Sequence, residues 1–150
     1  MATADQIYTD PSALACLYVH QEGRSRQIIA WRAGVAGALQ VTHYGRTEVI
    51  NAICRARFTA ELDDDGLAEA ITDFEADYFA GRLTQADLLW RAALNRAAAL
   101  SRTHTPTLGT RSADVLHVAC ALELGLRNFL TFDDRQRKLA AAVGLRLISV

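Results

Sequence analysis

Proline is scarce: Pro11 and Pro106 are the two in 150 residues, and no low-complexity linker surrounds either. With no internal repeat, this excludes domains strung on linkers and leaves one domain over residues 1–150. No apolar run is long enough to span a bilayer, because Arg and Gly interrupt each candidate. Met1 to Gln6 lacks a basic stretch followed by an apolar one, so no secretory signal is expected. The three cysteines, Cys16, Cys54 and Cys120, are odd in number, widely spaced and form no C-x-x-C pair. They read as small buried hydrophobes in a reducing compartment, and the cytoplasm is the expected location. An excess of either charge is also missing. Lys plus Arg total 16 and Asp plus Glu total 17, for a net charge of −1. That balance argues against holding nucleic acid by bulk positive charge, while leaving room for local basic contacts.

What is present is a folded core. Apolar residues make up 51% and charged residues 22%, and abundant Ala favours helices. Ile7-Tyr8-Thr9 reads as a strand, ended by Asp10-Pro11, with a helix from Ser12 to about His20. A helix over Arg24–Ala33, a strand at Leu39–Val41 and a long helix over His43–Phe58 follow. Asp63-Asp64-Asp65 opens an acidic helix with the stripe Leu67, Ile71, Phe74 and Tyr78. Arg82–Ala86 reads as a short irregular strand, Asp87–Ser101 as a helix, and Thr103–Thr110, with Pro106 and Gly109, as a loop. Ser112–Leu124 is helical, Asn128–Thr131 a strand, Asp134–Val143 a helix and Arg146–Ser149 a final strand. Short strands alternating with helices imply an α/β fold, a short central parallel sheet flanked by helices on both faces.

In such a sheet, ligands gather beyond the carboxyl ends of the strands. Asp10 follows the first strand, Glu48 lies early in the helix after the second, Asp133 follows the Phe129–Phe132 stretch, and Asp114 sits in a first helical turn. Each has a plainer reading. Asp10 before Pro11 and Asp133 before the last helix suit N-caps, and Asp114 suits the helix dipole. Glu48 has no cation at i+4 and lies among Val49, Ile50, Ala52 and Ile53, though a solvated face would also accept it. Together the acids would repel one another unless a divalent cation neutralised them. Hard oxygen ligands suit Mg²⁺ or Mn²⁺, and the four histidines, His20, His43, His104 and His117, form no zinc-type pair. Such a cage is equipment for phosphodiester chemistry, where the metal activates water and stabilises charge on the phosphate.

At these residues the chain resembles the PIN-domain family, and within it the VapC-type toxins of bacterial toxin–antitoxin pairs. The resemblance rests on Tyr8-Thr9-Asp10-Pro11-Ser12-Ala13-Leu14, Glu48, Arg111-Ser112-Ala113-Asp114-Val115-Leu116-His117-Val118-Ala119, and Leu130-Thr131-Phe132-Asp133 followed by Leu139-Ala140 and Gly144-Leu145. It implies a metal-dependent endoribonuclease restrained by a small VapB-type antitoxin, with a homodimer the expected assembly. Asp10, Glu48, Asp114 and Asp133 match the acidic catalytic and metal-holding positions, and Asp134 is an alternative to Asp133. Ser12 matches a hydroxyl that supports the metal shell, while Pro11 departs from the small polar residue usual there. The implied arrangement has Asp10, Glu48 and Asp114 on one Mg²⁺ or Mn²⁺. Asp133 completes the cage or positions a second ion once RNA brings its phosphate.

Around these lie supporting residues with two readings each. Arg111 either anchors a phosphate or steadies Asp114. His117 either assists proton transfer or is a satisfied core histidine, and Thr131 either bonds near the metal or simply fills a strand position. Arg135, Arg137 and Lys138 either meet the RNA backbone or form a solvated face. Glu61 to Asp77 holds eight acids and no base, so it should face away from RNA. Trp31, Tyr18, Phe79 and Trp90 read as core, or as the lining of an antitoxin groove. Two other classes compete: a non-catalytic interaction module of the same fold, and an aspartate-phosphorylated receiver or phosphatase. The phosphatase would want a second Asp where Ser12 stands, and the receiver a lysine near the last strands, where Lys138 lies inside a helix.

Overall fold

The structure is a computed structural model describing residues 1–150. A short 3₁₀ turn at Ala4–Gln6 leads into β1 (Ile7–Thr9), α1 (Pro11–Ala15) and α2 (Arg24–Ala33). Then come β2 (Leu39–Thr42), α3 (His43–Phe58), α4 (Asp64–Phe79), β3 (Leu83–Ala86) and α5 (Trp90–Leu108). The chain finishes with α6 (Ser112–Glu123), β4 (Asn128–Leu130), α7 (Asp134–Ala142) and β5 (Arg146–Leu147). All strand pairs are parallel, in the order β3-β2-β1-β4-β5. The chain winds outward from β1 through β2 to β3, then returns to the far side of β1 for β4 and β5. The winding therefore reverses between β1 and β4, which opens a crevice at their carboxyl ends.

Alternation along the strands covers both faces. Tyr8 and Phe129 stack at 5.3 Å and pack with Ala93, Val115, Val118 and Leu139 beneath α5, α6 and α7. Ile7 and Leu130 point to the other face, against Ala13, Cys16 and Ile28 of the α1–α2 region. A further core joins Leu39, Val41 and Leu83 of the sheet to Val49, Ile53 and Phe74 of α3 and α4. Sheets buried on both sides favour such apolar strands.

Several expectations change. The helix after Asp10 stops at Ala15 rather than near His20. The buried Ser25 hydroxyl holds the turn that follows, donating to the Cys16 carbonyl at 2.8 Å and accepting the Gln21 N–H at 2.8 Å. The Arg82–Ala86 stretch is a regular strand in four-residue register with β2. Thr103–Leu108 is helix rather than loop, with Pro106 inside it. Burial of Ala93 and Ala97 against α6 outweighs the missing proline N–H near the helix end. Gly109, at φ +64°, closes α5 in the left-handed conformation, donating to the Thr105 carbonyl. Of the cysteines, Cys16 and Cys120 are buried, but Cys54 is exposed. Phe79, expected in the core, is 94% exposed. No helix is long and apolar enough to cross a membrane.

Candidate active site

Asp10 is fixed at the crevice by its backbone, whose N–H donates to the Leu130 carbonyl at 2.9 Å. It occupies the N-cap position of α1, yet its side chain caps nothing. Instead Oδ2 accepts the hydroxyls of Ser12 and Thr131, the latter at 3.1 Å. The other oxygen, Oδ1, faces His117 Nε2 at 3.9 Å. Only 1% of this acid is exposed. Thr131 Oγ1 also accepts the Asp133 N–H at 3.0 Å, so one hydroxyl ties the ends of β1 and β4 together.

Glu48 arrives on the second turn of α3. Thr42 caps that helix by accepting the Gly45 N–H at 2.9 Å. A Cβ at position 45 would lie 3.1 Å from Thr42 Oγ1 and 3.3 Å from Pro11 Cγ, so glycine lets α3 close onto the start of α1. Glu48 Oε1 then accepts from His117 Nε2 at 2.9 Å. His117, 1% exposed, bonds Tyr8 Oη through Nδ1 at 2.7 Å and stacks on Tyr44 at 5.6 Å. Burial alone would lower the His117 pKa, but Glu48, Asp10 and Asp114 outweigh it and hold it above its ordinary value. Burial likewise pushes the Glu48 carboxyl up, and His117 and Tyr44 more than reverse this, leaving it below the usual range. Burial, with Cys120, Asp10 and Glu48 nearby, keeps the Tyr8 hydroxyl protonated. His117 is thus a satisfied core histidine whose partners belong to the acid site.

Asp114 and Asp133 form a second group. Asp114, 6% exposed, accepts the Arg111 backbone N–H at 2.9 Å and the Gln136 side-chain amide at 3.3 Å. Asp133 does cap α7, its Oδ1 accepting the Gln136 N–H at 3.0 Å. Arg135 stands between them, with Nε 3.3 Å from Asp114 Oδ2 and Nη2 3.4 Å from Asp133 Oδ2.

The four acids therefore meet at one sheet edge, but as two pairs, Asp10 with Glu48 on His117 and Asp114 with Asp133 on Arg135. No three His, Cys, Asp or Glu side chains are already drawn to the spacing of a metal shell. The single closed cage expected from the sequence is not what this arrangement presents. The donors nonetheless fit a hard divalent cation: all are carboxylate oxygens, and Asp10 and Asp114 are buried with few compensating charges.

The remaining candidates divide. Asp134 is exposed, while Asp133 is half-buried with its Oδ2 on Arg135. Arg111 steadies Asp114 through its backbone and leaves its side chain exposed, rather than through the charged contact expected. Arg135 is held by two acids and is not a free surface cation. Arg137 reaches the Thr131 carbonyl at 3.5 Å, and Lys138 is exposed. The sequence reading missed Tyr8, Tyr44 and Gln136. Gln136 carried a signal, since Asp133-x-x-Gln136 is the spacing of a capping box. The larger surface hollows lie elsewhere, one of them apolar and lined by Met1, Ile7, Trp31, Val35, Leu147 and Ile148.

Comparison with known proteins agrees with this architecture. The PIN domain pattern matches residues 7–142. A solved structure described as FitAcB from Neisseria gonorrhoeae is similar at a TM-score of 0.67 and 16% identity, covering 95% of this chain and 96% of that one. No curated protein sequence matches. PIN domains are generally nucleases and generally use divalent metals. With the pattern spanning nearly the whole fold, from β1 through α7, the chain belongs to the PIN-domain family.

Proposed function

We propose that this protein is a divalent-metal-dependent endoribonuclease, the VapC-type toxin of a toxin–antitoxin pair. The observation that carries the reading is the convergence of Asp10 and Asp114, two buried carboxylates 104 positions apart, with Glu48 and Asp133 at the β1–β4 edge. Asp10, Glu48 and Asp114 would hold Mg²⁺ or Mn²⁺, with Asp133 beside them. When bound, the ion supplies water activation and charge neutralisation at the phosphate. Ser12 and Thr131 fix Asp10 Oδ2 and leave Oδ1 turned into the site. His117 orients Glu48 through Nε2. Arg137 and Lys138, after Asp133 on α7, serve the RNA backbone, and Arg135 joins them when released from its acids.

A cytoplasmic setting agrees with three unpaired cysteines. The antitoxin and the homodimer partner find apolar surface at Trp31 in its hollow and at the exposed Phe58, Phe79 and Leu89. The receiver reading is weakened because Lys138, the single lysine, is exposed on α7. The non-catalytic module has one observation in its favour, the acids already paired within the protein. Incubation with total RNA separates these. Degradation that requires Mg²⁺ or Mn²⁺ and stops with EDTA is expected. Intact RNA with either ion, or degradation that continues in EDTA, would contradict the proposal.

A further inference from the structure

Arg135 is the one arginine or lysine in salt-bridge contact with the acids of the site. Its Nε and Nη2 reach Asp114 and Asp133 at 3.3 and 3.4 Å. These are longer than the roughly 2.7–2.9 Å of well-formed charge-assisted bonds. The Nε is also buried without a hydrogen-bond partner of good geometry. Arg135 therefore serves the pair mainly as a positive charge lodged between two carboxylates. That is the place a second divalent ion would take, and the other acid pair, Asp10 with Glu48, has no arginine or lysine in contact.

We infer that Arg135 is a built-in counter-ion that takes up Asp133 and Asp114 Oδ2, leaves Asp114 Oδ1 to join Asp10 and Glu48 on one divalent cation, and so limits the free protein to that one ion. The inference rests on the metal-dependent reading above. A second dication beside the guanidinium would meet like charge at close range, so it enters only if Arg135 withdraws. Withdrawal is open to it sterically, because its side chain is 39% exposed and sits in the first turn of α7, at the rim of the crevice. The phosphate of a bound substrate is the group of matching charge that would draw it out.

Mn²⁺ titration followed by electron paramagnetic resonance tests this on the full chain without substrate. The wild type should saturate at one ion per chain, with the spectrum of an isolated ion. Arg135→Gln, folded by circular dichroism, should saturate at two ions with the line-broadening of a coupled pair. Arg135→Lys, which keeps the charge, should return to one. An unmutated protein that already binds two coupled ions overturns the inference, whatever the variants do. So does an Arg135→Gln protein that stops at one ion, and in both cases the metal-dependent reading survives. Absence of saturable Mn²⁺ binding in both wild type and Arg135→Gln removes that reading as well.

Discussion

At the residue scale, the chemistry turns on His117. Its two ring nitrogens join Tyr8 on β1 to Glu48 on α3, 2.7 and 2.9 Å away. Tyr8→Phe removes one buried partner without changing shape, and should cost about 1 kcal/mol in urea denaturation. A pH dependence follows from the same contacts. Asp10, Glu48 and Asp114 raise the His117 pKa against the opposing effect of burial, so the folded state binds its proton more tightly than the unfolded chain. The resulting stability is complete below the ordinary value of 6.5 and is lost as pH rises through the higher folded value. Glu48 acts in the opposite sense: its contribution is present above its ordinary 4.5 and is lost as pH falls through its lowered folded value. Urea denaturation in EDTA should show the wild type losing stability relative to His117→Gln as pH rises above 6.5. A difference that does not change with pH would contradict this. The sequence offered little hint of the contact, because Tyr8 and His117 are 109 positions apart and local pattern carries no pairing information.

At the element scale, short strands place acids at their ends and helix caps aim them. Much of this was legible. Asp10-Pro11 marks the β1–α1 boundary, and the bounds of α2 and α3 follow from apolar spacing, with Gly34 just beyond α2. What could not be read depended on packing from elsewhere: the turn after α1 held by Ser25, the helix through Pro106, and the pairing of β3 with β2. The acid positions were visible singly, but their division into two pairs depends on His117 and Arg135 from different helices. Helix α7 offers a test that separates structure from chemistry. Asp133 caps it, whereas Asp134, next in sequence, is exposed. Asp133→Ala should lose about 1 kcal/mol of stability together with RNA cleavage, and Asp134→Ala should leave cleavage unchanged. A reversal of the two in cleavage assays would move the fourth acid to Asp134.

For the whole molecule, the near-zero net charge conceals separate charge populations. Three of the six acids of α4 are answered by neighbouring groups, Asp64 by Arg57, Glu75 by Arg46, and Asp77 by Arg82 and Tyr18, and the others are spread along an exposed helix. The acids at the β1–β4 edge share only His117 and Arg135. Divalent cation should therefore stabilise the fold as a whole. At a hundred times its dissociation constant Mg²⁺ should add about 2.7 kcal/mol, read as a rise in melting temperature that NaCl of equal ionic strength does not give. A non-catalytic module of the same fold would give no such saturable rise. The most direct measurement is the rate at which the purified protein cuts a labelled single-stranded oligoribonucleotide as Mn²⁺ is raised, for wild type and for Asp10→Asn. The account predicts a saturable rise for the wild type and a rate at least about 100-fold lower for the folded variant; equal rates in the two proteins would contradict it.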